Sequence, residues 1–312
     1  MIKFPNLRAQ VFGVVVGLAA LAAEPALAAS FDLSPEQPTR IHTDKDDAAV
    51  AAIGKDFKFV KDGVLTIATN PWLPPISTYA TDAKTVVGFD ADLSSLLAES
   101  LGRRIEIVPV AWPDWPLGLT SGKYDAVLSN VTVTEARKEK FDFSTYRKDQ
   151  LGFYVKADST IASIKEPKDI AGLRVITDSG TNQEQILLTW NKQNVANGLK
   201  PVEVQYYDDD AVRSLAIQSG RADVVFSVNS TQAYQAATQG KIKQVGTLSG
   251  GWPRTAEVAV TTRKGSGLAD ALTLAINDLI ADGKYAKLLA KWSLSSEAID
   301  KSQSNPLGLT KS

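Results

Sequence analysis

Ser121-Gly122-Lys123-Tyr124-Asp125-Ala126-Val127-Leu128-Ser129 returns 98 residues later as Ser219-Gly220-Arg221-Ala222-Asp223-Val224-Val225-Phe226-Ser227. In both copies a helical run stops at a glycine suited to the left-handed position after a helix, and a short apolar strand follows. The stretches ahead of the copies repeat as well. Before the first, Val64–Thr69 reads as a strand, and Phe89, Leu93, Leu96, Leu97 and Leu101 fall at helical spacing. Ile105–Val110 then reads as a strand and Asp114–Ser121 as a short helix. Before the second come a strand at Leu173–Thr177, a helix at Gln183–Gln193, a strand at Val202–Tyr207 and a helix at Ala211–Ser219. Each half is therefore β-α-β-α-β, the pattern of a parallel sheet with right-handed crossovers. The fold class is α/β: two lobes, each a parallel-rich sheet flanked by helices.

Outward from the repeat, the chain returns to long helix. Ser266 is placed to cap a run with Leu268, Leu272, Ile276, Leu279 and Ile280 inward, and Gly283 stops it. A second helix, Tyr285–Trp292, follows. Packing both helices on the first lobe makes that lobe discontinuous, residues 61–154 plus 256–293, around a second lobe at 155–255. Residues 29–60 read as an extension with one short helix near Ala48–Ile53, and the tail 294–312 reads as loosely ordered.

The chain has 312 residues, 34 basic and 35 acidic, with a net charge of −1. That balance gives no electrostatic footprint for nucleic acid. The absence of cysteine removes disulfides, thiolate nucleophiles and cysteine metal sites. His42 is the single histidine, so any histidine chemistry must pass through it, and it sits in the extension, where a solvated role is the simpler reading. No metal or cofactor is expected. At the N-terminus Lys3 and Arg8 precede the uncharged run Val11–Ala23, and small residues stand at Ala26 and Ala28. This is a secretory signal pattern for residues 1–28, its apolar run well short of the about 20 residues a bilayer span needs. The mature protein is expected to be exported to the periplasm and monomeric.

In open parallel sheets, ligands bind beyond the carboxyl ends of the strands. Applied to both lobes, this selects Asn70, Trp72, Trp112, Ser129 and Asn130 from the first, and Thr181, Asn182 and Asn229 from the second. Thr132 and Arg137 follow Ser129 closely and offer a hydroxyl and a guanidinium fork to a carboxylate. From spacing alone Arg137 fits a solvated stretch with Lys138, Glu139 and Lys140 slightly better. Thr181-Asn182-Gln183-Glu184 fits a capping box, whose free N–H groups also attract an anion. Trp72, Trp112 and Trp115 are divided between core and ligand wall.

These residues resemble a known family. Val86-Val87-Gly88-Phe89-Asp90-Ala91-Asp92-Leu93 looks like the G-F-D-x-D-L signature of the family 3 solute-binding proteins, polar amino-acid receptors of ABC importers. Ser121–Ser129, Thr132-Val133-Thr134-Glu135-Ala136-Arg137, Phe141-Asp142-Phe143-Ser144, Ser179-Gly180-Thr181-Asn182-Gln183-Glu184, Ala281-Asp282-Gly283-Lys284-Tyr285 and Lys291-Trp292 resemble further elements in order. The resemblance implies a two-lobed type II periplasmic binding fold with the ligand cleft between lobes, hinge closure, and delivery to an inner-membrane ABC permease. It implies that Arg137 binds a ligand carboxylate, aided by Thr132 and the segment at Asn130. Three departures stand out. Asn70 replaces an Asp that touches the ligand side chain, Leu73 replaces a stacking aromatic with Trp72 beside it, and Val228 replaces the Asp that pairs with the ligand ammonium. The expectation is a carboxylate-bearing ligand that is not a standard α-amino acid bound in the usual way, unless Asn229 or Asp208 takes the ammonium. A periplasmic cyclohexadienyl dehydratase is similar too, but an enzyme of that kind needs a buried acid for proton transfer. None stands among the candidate positions, so the chain reads as a binding protein.

Overall fold

The computed structural model describes residues 31–207 and 209–310. The signal segment 1–28 and Asp208 lie outside them. Among the described residues no helix is long and apolar enough to cross a membrane.

The chain opens with α1 (Asp47–Ala51), then β1 (Val64–Thr69), β2 (Thr78–Tyr79), β3 (Val86–Val87), α2 (Phe89–Ser100), β4 (Arg104–Pro109), α3 (Trp115–Thr120), β5 (Ala126–Val127), α4 (Glu135–Lys138) and β6 (Phe141–Lys148). It crosses over with β7 (Gln150–Lys156) and continues through β8 (Arg174–Thr177), α5 (Asn182–Ala196), β9 (Glu203–Tyr206), α6 (Asp210–Gln218), β10 (Val224–Val228), α7 (Asn229–Gln239) and β11 (Ile242–Ser249). It returns with β12 (Glu257–Arg263), α8 (Ala269–Ala281) and α9 (Lys284–Lys291). The first sheet runs β4-β1-β5-β12-β6 and the second β11-β7-β10-β8-β9. In each, the first strand of the repeat is flanked in parallel by the second and third. β1 is buried along its whole length, as a central strand covered on both faces must be.

The repeated aspartate has a structural job in both lobes. Asp125 accepts from the Thr66 N–H at 2.8 Å and the Thr66 hydroxyl at 2.6 Å. Asp223 accepts from the Arg174 N–H at 2.8 Å and its guanidinium at 2.6 Å. Each carboxylate thus ties the start of the third strand to the first, and the preceding Gly122 and Gly220 take the expected positive φ of 75° and 70°.

The lobe border differs from the expected one at 154/155. β7 pairs antiparallel with β10 and β11, so the second lobe begins at Gln150. The reason is the alternation Leu151, Phe153, Val155, which is buried in the second core, with Phe153 stacked on Phe226 at 4.0 Å. The start of α8 also differs. Gly265 and Gly267, at positive φ, turn the chain ahead of it, so Leu268 occupies the cap position and the Ser266 hydroxyl is buried without a partner among the described residues.

The tail is not loose. β6 is an edge strand, and unpaired edge groups invite a partner. The Thr145 N–H donates to Gln303 O (3.1 Å), Asn305 N–H to Phe143 O (2.9 Å) and Leu309 N–H to Val133 O (3.0 Å). Beneath this strap Arg147 and Glu297 form a buried ion pair. The extension is packed as well. Phe31, Leu33, Ile41, Phe57 and Phe59 lie against the first core, and Asp46 caps α1. His42 stays 70% exposed, its Nδ1 2.7 Å from Glu99.

Candidate functional site

The ends of β1, β4, β5, β8 and β10, with the segment running into α4, carry the candidate residues. On the first lobe the Asn70 N–H donates to Ser129 Oγ at 3.2 Å, which ties the ends of β1 and β5. Asn130 follows in the left-handed region, φ 51°. Its N–H donates to the Tyr146 hydroxyl (3.2 Å) and its side-chain oxygen accepts from Arg147 (2.5 Å). A non-glycine residue there stores strain, and the buried Arg147 and Tyr146 hold it in place.

Arg137 turns inward, away from its exposed neighbours Glu139 and Lys140. Thr134 caps α4 by accepting from the Arg137 N–H at 3.1 Å, which fixes the direction of that short turn. The guanidinium donates to Thr132 O at 2.9 Å in the first lobe and to Gly180 O at 3.3 Å in the second. Its carbon lies 5.5 Å and 5.9 Å from the Trp112 and Trp115 rings. Burial lowers its pKa to about 10 against the pull of Asp149, so it remains a cation at neutral pH. Trp115 is 3% exposed and belongs to the core, whereas Trp112 is only partly covered and walls the guanidinium.

Across the cleft, Thr181 caps α5, accepting from the Glu184 N–H at 3.2 Å. The reciprocal half of the expected box is shifted: Glu184 accepts from Gly180 N–H at 2.7 Å. Asn182 uses both ends of its amide, accepting from Thr132 Oγ1 (3.0 Å) and donating to Asp149 (2.9 Å) and Gly250 O (2.7 Å). It joins the lobes rather than leaving its side chain open to a ligand. Asn229, at the start of α7, accepts from Tyr154 (3.0 Å) and Gln244 (2.5 Å). It shares no hydrogen bond with the other nine candidates and borders a separate cavity of about 200 Å³ with Phe31, Pro75, Tyr234 and Glu297. Val228 packs partly buried against the first lobe's core.

The structure also corrects the reading that no acid stands at the site. Asp149, between β6 and β7, is 2% exposed and accepts from Thr132 Oγ1 at 2.6 Å; its other oxygen has no partner among the described residues. Burial raises its pKa, opposed by its hydrogen bonds and the two arginines. Asp178, just beyond β8, pairs with Arg213. Trp72 lies 5.2 Å from the Arg213 guanidinium carbon. Sequence patterning missed Asp149, Asp178, Arg147 and Arg213. Asp178 alone carried a signal, since it follows a strand end.

The model of the bacterial extracellular solute-binding proteins, family 3, matches residues 65–295. The L-cystine-binding protein TcyJ of Escherichia coli (strain K12) is 31% identical over 240 residues, 75% of this chain and 84% of that one. The cyclohexadienyl dehydratase of Pseudomonas aeruginosa is 25% identical over 187 residues, 59% of this chain and 65% of its own. Among solved structures, an ancestral arginine-binding protein bound to arginine aligns with a TM-score of 0.64 at 30% identity, over 74% of this chain and 98% of that one.

Proposed function

The chain belongs to the bacterial extracellular solute-binding proteins, family 3, and from that premise we propose that it is the periplasmic receptor of an ABC importer. It captures an amino acid or related small carboxylate between its lobes and delivers it to an inner-membrane permease. The observation that carries this reading is Arg137, a cation within hydrogen-bonding reach of both lobes and backed by Trp112. A carboxylate accepted there, in the plane of the guanidinium, gains charge-assisted bonds, and contacts from the second lobe add to them only when the lobes are closed. Asn70, Trp72, Ser129, Asn130, Thr132 and the N-terminus of α5 at Thr181 supply the surrounding wall. Val228 offers no counter-charge to an ammonium, which supports a ligand other than a standard α-amino acid bound in the usual way.

The test is native mass spectrometry of freshly purified protein for a co-purified ligand, followed by a thermal-shift panel of amino acids and organic acids. A ligand that binds only the folded chain raises its melting temperature. If no carboxylate does so, the proposal fails. One observation favours a second reading. The buried carboxyl of Asp149, its pKa raised beside Thr132 and Asn182, has the character of a general acid in a dehydratase. Turnover of prephenate or arogenate by the purified protein decides between the two.

A further inference from the structure

Arg213 on α6 is 4% exposed, and its Nε and Nη1 have no hydrogen-bond partner among the described residues. Leaving buried donors unmade is expensive, the more so on a charged group. Its remaining nitrogen donates to Asp178 Oδ1 at 2.5 Å and to Tyr207 O at 3.2 Å. The guanidinium belongs to the second lobe, yet the ring it faces, Trp72, belongs to the first. It therefore lies where the two lobes meet, as Arg137 does.

The charges around it define what it suits. Asp178 also accepts from Ser227 Oγ at 3.1 Å, and its side chain stays 27% exposed. Asp210, held by Gln235 at 2.7 Å, adds a second nearby carboxyl. A bare carboxylate arriving here meets one cation and two acids. A head group that carries an ammonium beside its carboxylate meets a partner for each charge: Arg213 for the carboxylate and Asp178 for the ammonium.

We propose that Arg213 and Asp178 form a second head-group subsite, so that the ligand is double-headed, with one carboxylate at Arg137 and a dipolar amino-acid head at its far end. This rests on the reading of the cleft as a solute site and names the class of solute. Trp72 closes the first-lobe side of the subsite.

Calorimetric titration of the full chain, refolded to remove any resident ligand, tests it with defined probes. L-Cystine and meso-2,6-diaminopimelate carry two dipolar heads, S-methyl-L-cysteine and L-2-aminoheptanoate carry one, and L-2-aminopimelate ends in a bare carboxylate. At least one double-headed probe is expected to bind about tenfold or more tightly than its single-headed counterpart, the factor that one added charge-assisted bond supplies. Arg213→Gln erases that preference. Equal binding of both classes by the unmodified chain overturns the proposal, whatever the variant's folding. So does pimelate, which has two bare carboxylates, binding as tightly as L-2-aminopimelate, whose single dipolar head can occupy the Arg213–Asp178 end. If no probe binds and no carboxylate of the thermal-shift panel raises the melting temperature, the receptor reading falls with it; if single-headed probes bind through Arg137 alone, only the second subsite falls.

Discussion

Thr132 and Asn182 are hydrogen-bonded across the two lobes at 3.0 Å, and both also bind the same oxygen of Asp149. The three side chains lie where β6 passes into β7, so the cleft is latched at its crossover. Thr132→Val removes a hydroxyl donor from a buried carboxylate. A bond to a charged group contributes about 1.5–3 kcal/mol, so the variant is expected to melt several degrees lower. Small-angle scattering of the ligand-free variant should show a larger radius of gyration than the parent. An unchanged melting temperature would contradict the latch.

Arg137→Gln keeps a polar side chain but removes the fork and the charge. Two charge-assisted bonds at about 1.5–3 kcal/mol each predict a loss of roughly two to four orders of magnitude in ligand affinity. Titration calorimetry measures it, with the ligand-free melting curve as the folding control.

Arg147 and Glu297 are 1% and 3% exposed at their side chains, and Arg147 also reaches Asn130. Breaking a buried pair by removing one partner costs about 3–5 kcal/mol, because the other charge is left uncompensated. Glu297→Ala should therefore lower denaturant stability by that order and weaken ligand binding through Asn130. Arg147→Met combined with Glu297→Leu should recover much of the stability without recovering the affinity.

Asp90 is fully buried with neither carboxylate oxygen bonded among the described residues, and burial raises its pKa well above the usual 3.8 despite the attraction of Arg147. The folded chain then holds this proton to higher pH than the unfolded chain, so its contribution to stability is present below 3.8 and is lost as pH rises through the folded value. Asp90→Asn is expected to melt higher than the parent at neutral pH, with the difference closing in acid. A pH series of melting curves measures it, and equal curves at neutral pH would show that the burial carries no such cost.

Phe31 stacks on Tyr234 of α7 at 5.4 Å and lies 5.2 Å from Trp292, so the extension touches both lobes. For a half-buried ring, Phe31→Ala should cost about 1–3 kcal/mol. Limited proteolysis of the extension should accelerate in the same variant.

The duplicated Ser-Gly-x-x-Asp stretch was legible because its reasons are local. A glycine is needed at positive φ, and a carboxylate needs only a backbone N–H of the neighbouring strand, as Asp125 and Asp223 find in Thr66 and Arg174. The order of the tail is not legible in the sequence, because a segment that lies along a strand edge as a single layer has no apolar period to betray it. Its order comes from hydrogen bonds to Phe143, Thr145 and Val133, residues more than 150 positions away. The lobe border is hidden for a related reason, since β6 and β7 follow one another with only Asp149 between them and it is their pairing partners that assign them to different sheets.

At the site the division is similar. Strand-end position marked Ser129, Asn130 and Thr181, and motif resemblance marked Arg137. Whether Asn182 faces a ligand or spends its amide on Asp149 and Gly250 was decided by the approach of the other lobe. The same holds for Arg213, an ordinary helix residue until Trp72 and Asp178 enclose it. Two matched α/β lobes are legible in the sequence alone, because backbone geometry and hydrophobic period act within each segment. The latch, the buried acids and the second guanidinium emerge on folding, because burial and pairing are properties of residues brought together from distant parts of the chain.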